Sequence, residues 1–212
     1  MPVINTLIFD LGGVLYDIDV NRTTDAFRSL NISNLEQMHQ SLVTENVYNN
    51  LETGSISPSE FRDAVRKYSM TQLTDDQIDD AWNALLVGFP EQRVSLLLRL
   101  KQNYQIMLLS NTNQIHFENY TSRFQQQYGL NFESLFHRPF YSYRMGFRKP
   151  DPEIFRLLIS QTGIEPGSAV FIDDLAENIE AARSTGLKAI HLSETSDVCA
   201  LFDDGRLKEE LI

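Results

Sequence analysis

Three apolar runs in this chain end abruptly on polar residues. VINTLIFD stops at Asp10, QIMLLSN at Ser110 and Asn111, and SAVFIDD at Asp173 and Asp174. Helical periodicity fills the spaces around the later two: PEQRVSLLLRLKQN before the second run, DPEIFRLLISQTG before the third, AENIEAARSTG after it. KAIHL and RPFYSY read as further strands. The DPEIF helix has Asp151 as its N-cap, Pro152 in its first turn and Gly163 at its end, the usual asymmetry of helix termini. Strands alternating with helices of this length predict an α/β fold, a parallel sheet wrapped by helices. Such sheets bind ligands beyond the carboxyl ends of their strands. The polar strand ends therefore converge on one crevice.

Residues 17–90 break the alternation. Helix starts follow one another there, with capping-box patterns at Ser33/Glu36, Ser57/Glu60 and Thr74/Gln77. Gly54 reads as a helix stop after NVYNNLET, and no strand is expected in the segment. The division predicted is a catalytic core of residues 1–16 and 91–212, with a small all-α domain of residues 17–90 inserted between its first strand and the rest.

Charge narrows the function classes. With 29 acidic against 18 basic residues the net charge is −11, which disfavours a phosphate backbone, so no nucleic-acid partner is expected. No apolar run reaches the ~20 residues of a membrane helix. The N-terminus, MPVINTLIFD, lacks a basic n-region and a small-residue cleavage site. The single cysteine, Cys199, suits a reducing compartment. A cytoplasmic protein, monomer or homodimer, is the expectation. The four histidines, His39, His116, His137 and His191, lack metal-ligand spacing.

Singly, each strand-end residue has an ordinary structural role: Asp10 in a turn, Asp173 and Asp174 at a helix start, Lys149 in solvent. Gathered at one sheet edge they make chemical sense together. Close carboxylates repel by about 4 kcal/mol per pair at an effective dielectric near 20. Mg²⁺ relieves that repulsion and accepts carboxylates, water and phosphate oxygens. Asp10 can then offer one oxygen to the metal and the other to phosphorus, forming an aspartyl-phosphate. Ser110 and Asn111, with neighbouring backbone N–H groups, are placed to hold phosphoryl oxygens, and Lys149 to neutralise charge on the phosphoryl group and on Asp10.

IFDLGGVLYDID, LLSNTN, GFRKPDPEIF and VFIDDLAENIEAAR, in this order over nearly the whole chain, resemble the motifs of haloacid dehalogenase-superfamily hydrolases. The resemblance implies a Rossmann-like core with a helical cap over residues 17–90. It makes Asp10 the nucleophile and the Gly12 backbone carbonyl a Mg²⁺ ligand. Asp173 becomes the second metal ligand, Asp174 a ligand directly or through water, and Asn178 the group that orients their loop. Most phosphatases of the superfamily carry a second aspartate two residues after the nucleophile, which protonates the leaving group and activates water. Here that position is Gly12.

The run DLGGVLYDIDVNR is similar to a smaller bacterial branch resembling α-D-glucose-1-phosphate phosphatases. That similarity implies a sugar phosphate with a good leaving group, or a substitute acid at Asp17 or Asp19. The same aspartates also suit the cap of a first helix, and Arg22 is either a substrate contact or an exposed helix residue. Arg144 has no role assigned. The leading expectation is a Mg²⁺-dependent phosphatase of a small phosphorylated metabolite, a sugar phosphate first. A metal-independent 2-haloacid dehalogenase also tolerates Gly12, but members with that activity replace the acidic pair kept here at Asp173 and Asp174. A metabolite-binding regulator with little turnover is the third reading.

Overall fold

The computed structural model describes residues 3–32, 34–193 and 195–211. The chain opens on β1 (Thr6–Phe9), buried at all four residues. A tight loop and a short strand, β2 (Asp17–Ile18), lead into five helices: α1 (Val20–Ser29), α2 (Leu35–Thr44), α3 (Val47–Glu52), α4 (Pro58–Arg66) and α5 (Asp75–Asn83). A second short strand, β3 (Leu86–Gly88), returns the chain to α6 (Glu91–Leu100), β4 (Gln105–Ser110) and α7 (Gln114–Tyr128). Then come β5 (Arg138–Tyr141), α8 (Ser142–Met145), α9 (Pro152–Thr162), β6 (Ala169–Asp173), α10 (Ala176–Ser184) and β7 (Lys188–His191).

Five strands form one parallel sheet in the order β5-β4-β1-β6-β7. Helices cover both faces, so the strands are nearly continuous apolar runs, as a doubly buried sheet requires. Alternation still sorts the side chains. Leu7, Phe9, Leu108 and Ile172 join one core cluster, which includes Leu97 of α6 and Tyr120 of α7. Ile8, Met107, Leu109 and Phe171 join the opposite one, with Phe155 of α9 and Ile179 of α10. Phe9 lies beside Leu108 and Ile172 in the register, so β1, β4 and β6 all end at the same edge. This is the α/β architecture expected.

The local signals act as read. Asp151 accepts from the Glu153 amide, and Gly163 ends α9 in the left-handed conformation at φ 68°. The Ser57/Glu60 and Thr74/Gln77 capping boxes form. Ser33 lies outside the described residues, and Asn34 is the N-cap of α2, accepting from the Gln37 amide. Gly54 follows α3 at φ 69°. A Cβ there would sit 2.3 Å from the Tyr143 carbonyl oxygen, so its smallness also lets the insert approach the core.

Two expectations need correction. Residues 17–90 contain strand after all: β2 and β3 pair antiparallel, with Asp17 opposite Gly88, where the chain leaves and re-enters the core. Strands of two and three residues have no period to read. RPFYSY is a strand only as far as Tyr141, because Ser142 opens α8.

The five helices of the insert share a core of their own, including Phe27, Leu42, Phe61 and Ile78, which Ile115 of α7 joins. A column of rings links insert to core: Tyr48 stacks on Trp82 at 5.5 Å, and Trp82 on His116 of α7 at 4.9 Å. His116 Nδ1 lies 2.9 Å from Asn83 Oδ1. Burial pushes the His116 pKa down to about 3, so the folded protein holds this ring neutral. The unfolded chain takes up a proton near pH 6.5 and the folded one does not, so stability is full above that pH and falls as pH drops towards 3. At pH 5 the loss is about 2 kcal/mol from this residue. Urea unfolding at pH 5 and 8 is expected to show it in the wild type and to find a flatter profile in His116→Phe; parallel profiles would exclude His116 as the origin.

Candidate active site

Asp10 is the first residue past β1, its amide donating to the Ile172 carbonyl at 2.9 Å. Lys149 enters from the loop before α9, and its Nζ lies 2.6 Å from Asp10 Oδ1 and 2.6 Å from Asp173 Oδ2. The lysine side chain is 1% exposed and that of Asp173 0%, whereas 12% of the Asp10 side chain is open. Of these three groups, Asp10 is the one an incoming molecule can reach. Asn111 fixes the lysine loop from the end of β4. Its Nδ2 donates to the Lys149 carbonyl and its Oδ1 accepts from the Lys149 amide, both at 2.8 Å.

Asp173 is held from several sides. Beyond Lys149 it accepts from the Leu175 amide at 2.8 Å and from Asn178 Nδ2 at 2.9 and 3.1 Å. Asp174 lies against the loop after β1. Gly13 has φ +80°, and a Cβ there would fall 2.3 Å from Asp174 Oδ2. Only glycine permits both the conformation and the approach.

One oxygen each from Asp10, Asp173 and Asp174 lies within 4.8 Å of the others. Three carboxylates against one lysine leave two negative charges uncompensated, which a divalent cation with oxygen ligands matches. The electrostatics carry the strain of that excess. Burial pushes the Asp10 pKa up to about 7, with Lys149 opposing and Asp173 reinforcing. Burial and then Asp173 raise that of Asp174. Burial works against the charge of Lys149, but its two carboxylate partners outweigh it and hold the pKa above the ordinary value.

Beside this cluster opens a cavity of about 820 Å³, lined on the core side by Leu11, Gly12, Ser110, Asn111 and Thr112. Helices α1, α2 and α5 line the opposite side through residues such as Phe27, Met38 and Trp82. A Cβ at Gly12 would meet Ile18 Cδ1 at 3.4 Å, an ordinary contact. Thus no steric demand of the loop requires glycine there.

Residues 4–186 match the haloacid dehalogenase-like hydrolase family. The chain belongs to that family.

This haloacid dehalogenase-like hydrolase is 28% identical over 199 residues to D-ribitol-5-phosphate phosphatase of Bacteroides thetaiotaomicron, covering 92% of the chain and 95% of the relative. Its fold superposes on a HAD family enzyme of the same species with a TM-score of 0.90 at 34% identity, covering 95% of this chain and 99% of that one. A structure of that enzyme with magnesium and inorganic phosphate gives a TM-score of 0.85 at 35% identity, covering 94% and 100%. These relatives set the chain among the phosphatases of the family.

Other expected site residues of the hydrolase lie elsewhere. Asp17 pairs with Arg93 at 2.8 Å, and Arg93 also holds Asp197 at 3.0 Å. Asp19 caps α1 by accepting from the Asn21 amide. Arg22 is exposed, 3.6 Å from Asp19. Among the described residues, none of these three lines the cavity. Ser110 and Asn111 both line it, and both ends of the Asn111 amide are engaged by the Lys149 backbone. Arg144 now has a structural place, over the rings of Phe117, Tyr141 and Tyr143. Sequence reading missed Ser142, whose hydroxyl accepts from the Thr112 amide at 2.9 Å and donates to the Thr112 carbonyl at 3.0 Å, pinning the Ser110 loop. A serine beginning a short helix carries no signal of such a role.

Proposed function

We propose that this hydrolase is a Mg²⁺-dependent phosphatase of a small phosphorylated metabolite, acting through an aspartyl-phosphate on Asp10. The observation that carries the reading is the buried Lys149 bridging Asp10 and Asp173, with Asp10 alone of the three open to an incoming group. Lys149 holds Oδ1 in place, which orients the carboxylate for attack on phosphorus. The Asp10–phosphorus bond forms as the ester P–O bond breaks and the alcohol oxygen takes the electron pair. Water then attacks the phosphorus, releasing inorganic phosphate and the Asp10 carboxylate.

Asp10 and Asp174, with Asp173 and the Gly12 backbone carbonyl, would hold Mg²⁺, which when bound offsets charge on the phosphoryl oxygens. The relative solved with magnesium and inorganic phosphate supports Mg²⁺ as the ion. Ser110, which lines the cavity, would receive a phosphoryl oxygen. Residues 17–90 serve as the cap and residues 1–16 with 91–212 as the core. The enzyme works in the cytoplasm; no helix among the described residues is long and apolar enough to cross a membrane. The relative acting on D-ribitol 5-phosphate supports a phosphate monoester as substrate.

Hydrolysis of p-nitrophenyl phosphate is expected with Mg²⁺ and is expected to fall at least about a hundredfold in EDTA, returning on metal addition. Full activity in EDTA, or halide release from a 2-haloacid under the same conditions, would overturn the proposal.

A further inference from the structure

Resting on the phosphatase reading, the geometry points to the substrate class: the phosphate monoester of a phenol larger than one ring, not of a sugar. Two independent observations converge on it. The first is the wall of the cavity, built by Leu11, Ile18, Phe27, Met38, Trp82 and Leu86. Polar side chains also reach the cavity, Thr24, Glu36 and Ser110 among them, and several of the others are engaged. The Thr23 hydroxyl donates to the Trp82 carbonyl at 3.2 Å and accepts from the Leu85 amide at 3.1 Å. Glu52 pairs with Arg148 at 2.7 Å and Arg28 with Asp25. His39 contacts the Tyr48 hydroxyl, and His116 contacts Asn83. Hydroxyls of a buried sugar that faced the apolar wall would find no partner in it, and an unpaired buried hydroxyl is unfavourable. An aromatic ring instead meets apolar surface of its own kind there, at Phe27, Met38 and Leu86. About 820 Å³ falls in the size range of multi-ring ligands.

The second observation is Gly12. It supplies no proton, and Asp17 and Asp19 are turned to Arg93 and to the start of α1. With no carboxyl of this loop to protonate the leaving oxygen, an oxygen that departs readily as an anion is favoured. A phenol, with a pKa of about 10 like that of tyrosine, does so readily. An aliphatic alcohol is about as weak an acid as water, at about 15.7, and does not. In the balanced step the phenoxide leaves with the electron pair of the P–O bond and takes a proton from solvent. The wall and the missing acid thus select the same kind of ester.

The test measures kcat/KM with Mg²⁺ for 2-naphthyl, phenyl and n-hexyl phosphate, sorbitol 6-phosphate and glucose 1-phosphate. Naphthyl phosphate is expected to exceed phenyl phosphate by about tenfold, from its added buried surface. Phenyl phosphate is expected to exceed hexyl and sorbitol phosphate by roughly a hundredfold or more, the factor a general acid would otherwise supply. Gly12→Asp, whose Cβ would make only an ordinary contact with Ile18, is expected to raise hexyl phosphate turnover about tenfold and so narrow the gap. Gly12→Ala, filling the same space without an acid, is expected to leave the gap unchanged. Either sugar phosphate matching or exceeding naphthyl phosphate would overturn the inference while leaving the phosphatase reading intact. Failure of all five esters would overturn both.

Discussion

Asp10→Asn is expected to lower kcat for phenyl phosphate by roughly 10⁴-fold or more, because the proposed mechanism gives the attack on phosphorus to the Asp10 carboxylate. The fold is expected to survive unharmed. Asp10 ionises in a buried setting beside Asp173, against the desolvation that raises its pKa. A neutral amide of the same shape removes that repulsion, and Lys149 keeps its bond to Asp173 at 2.6 Å. Thermal unfolding without metal should therefore occur at the same temperature or higher. Single-turnover experiments should find no phosphoryl-enzyme in the variant. A variant retaining a tenth of the activity would remove Asp10 from the nucleophile's role, and one that unfolds early would show the carboxylate to be structural.

Lys149→Met is expected to affect rate and stability together. The fully buried ammonium joins two carboxylates, and deleting one side of such an arrangement leaves uncompensated charge inside the protein. The expected loss is about 3–5 kcal/mol in metal-free urea unfolding. Mg²⁺ should restore part of it, since it also neutralises the Asp10 and Asp173 charges. Combining Lys149→Met with Asp10→Asn should destabilise less than Lys149→Met alone, because fewer charges are left unpaired. With Mg²⁺ present, kcat is expected to fall roughly 10²- to 10³-fold, the size of a lost preorganised electrostatic contact. Wild-type stability in the metal-free single variant would contradict the bridge.

Much of this was legible in the residues themselves. Apolar runs ending at Asp10, Ser110 and Asp173 located three strands and the edge where they end, because a buried parallel strand leaves an unbroken hydrophobic signature. Asp151, Ser57 and Thr74 marked helix starts because their side chains bond locally, two or three residues on. What was not legible is long-range or too short to repeat. Arg93 reaches Asp17 and Asp197 across the fold, and no spacing announces it. The β2–β3 ribbon has too few residues for a period. The burial of Lys149 could not be read from FRKPDP, where a solvated lysine is the ordinary expectation; two distant carboxylates hold it inside. The apolar cavity wall is drawn from several separate segments, and only the folded insert brings them together.

The central place of β1 also bears on how the protein comes to exist. Of the described strands it is made first, yet its two neighbours are β4 and β6, made long afterwards. A nascent chain carries TLIF with both edges bare until residues 105–110 emerge, and with one edge bare until residues 169–173 follow. Pairings of such separation close slowly, and exposed edges invite association with other chains in the interval. The centre itself obeys the same timetable: Lys149 and Asp10 are 139 residues apart. No truncated product ending before β6 can carry the Asp173 half of the bridge, so the bridge closes only once residue 173 has been made.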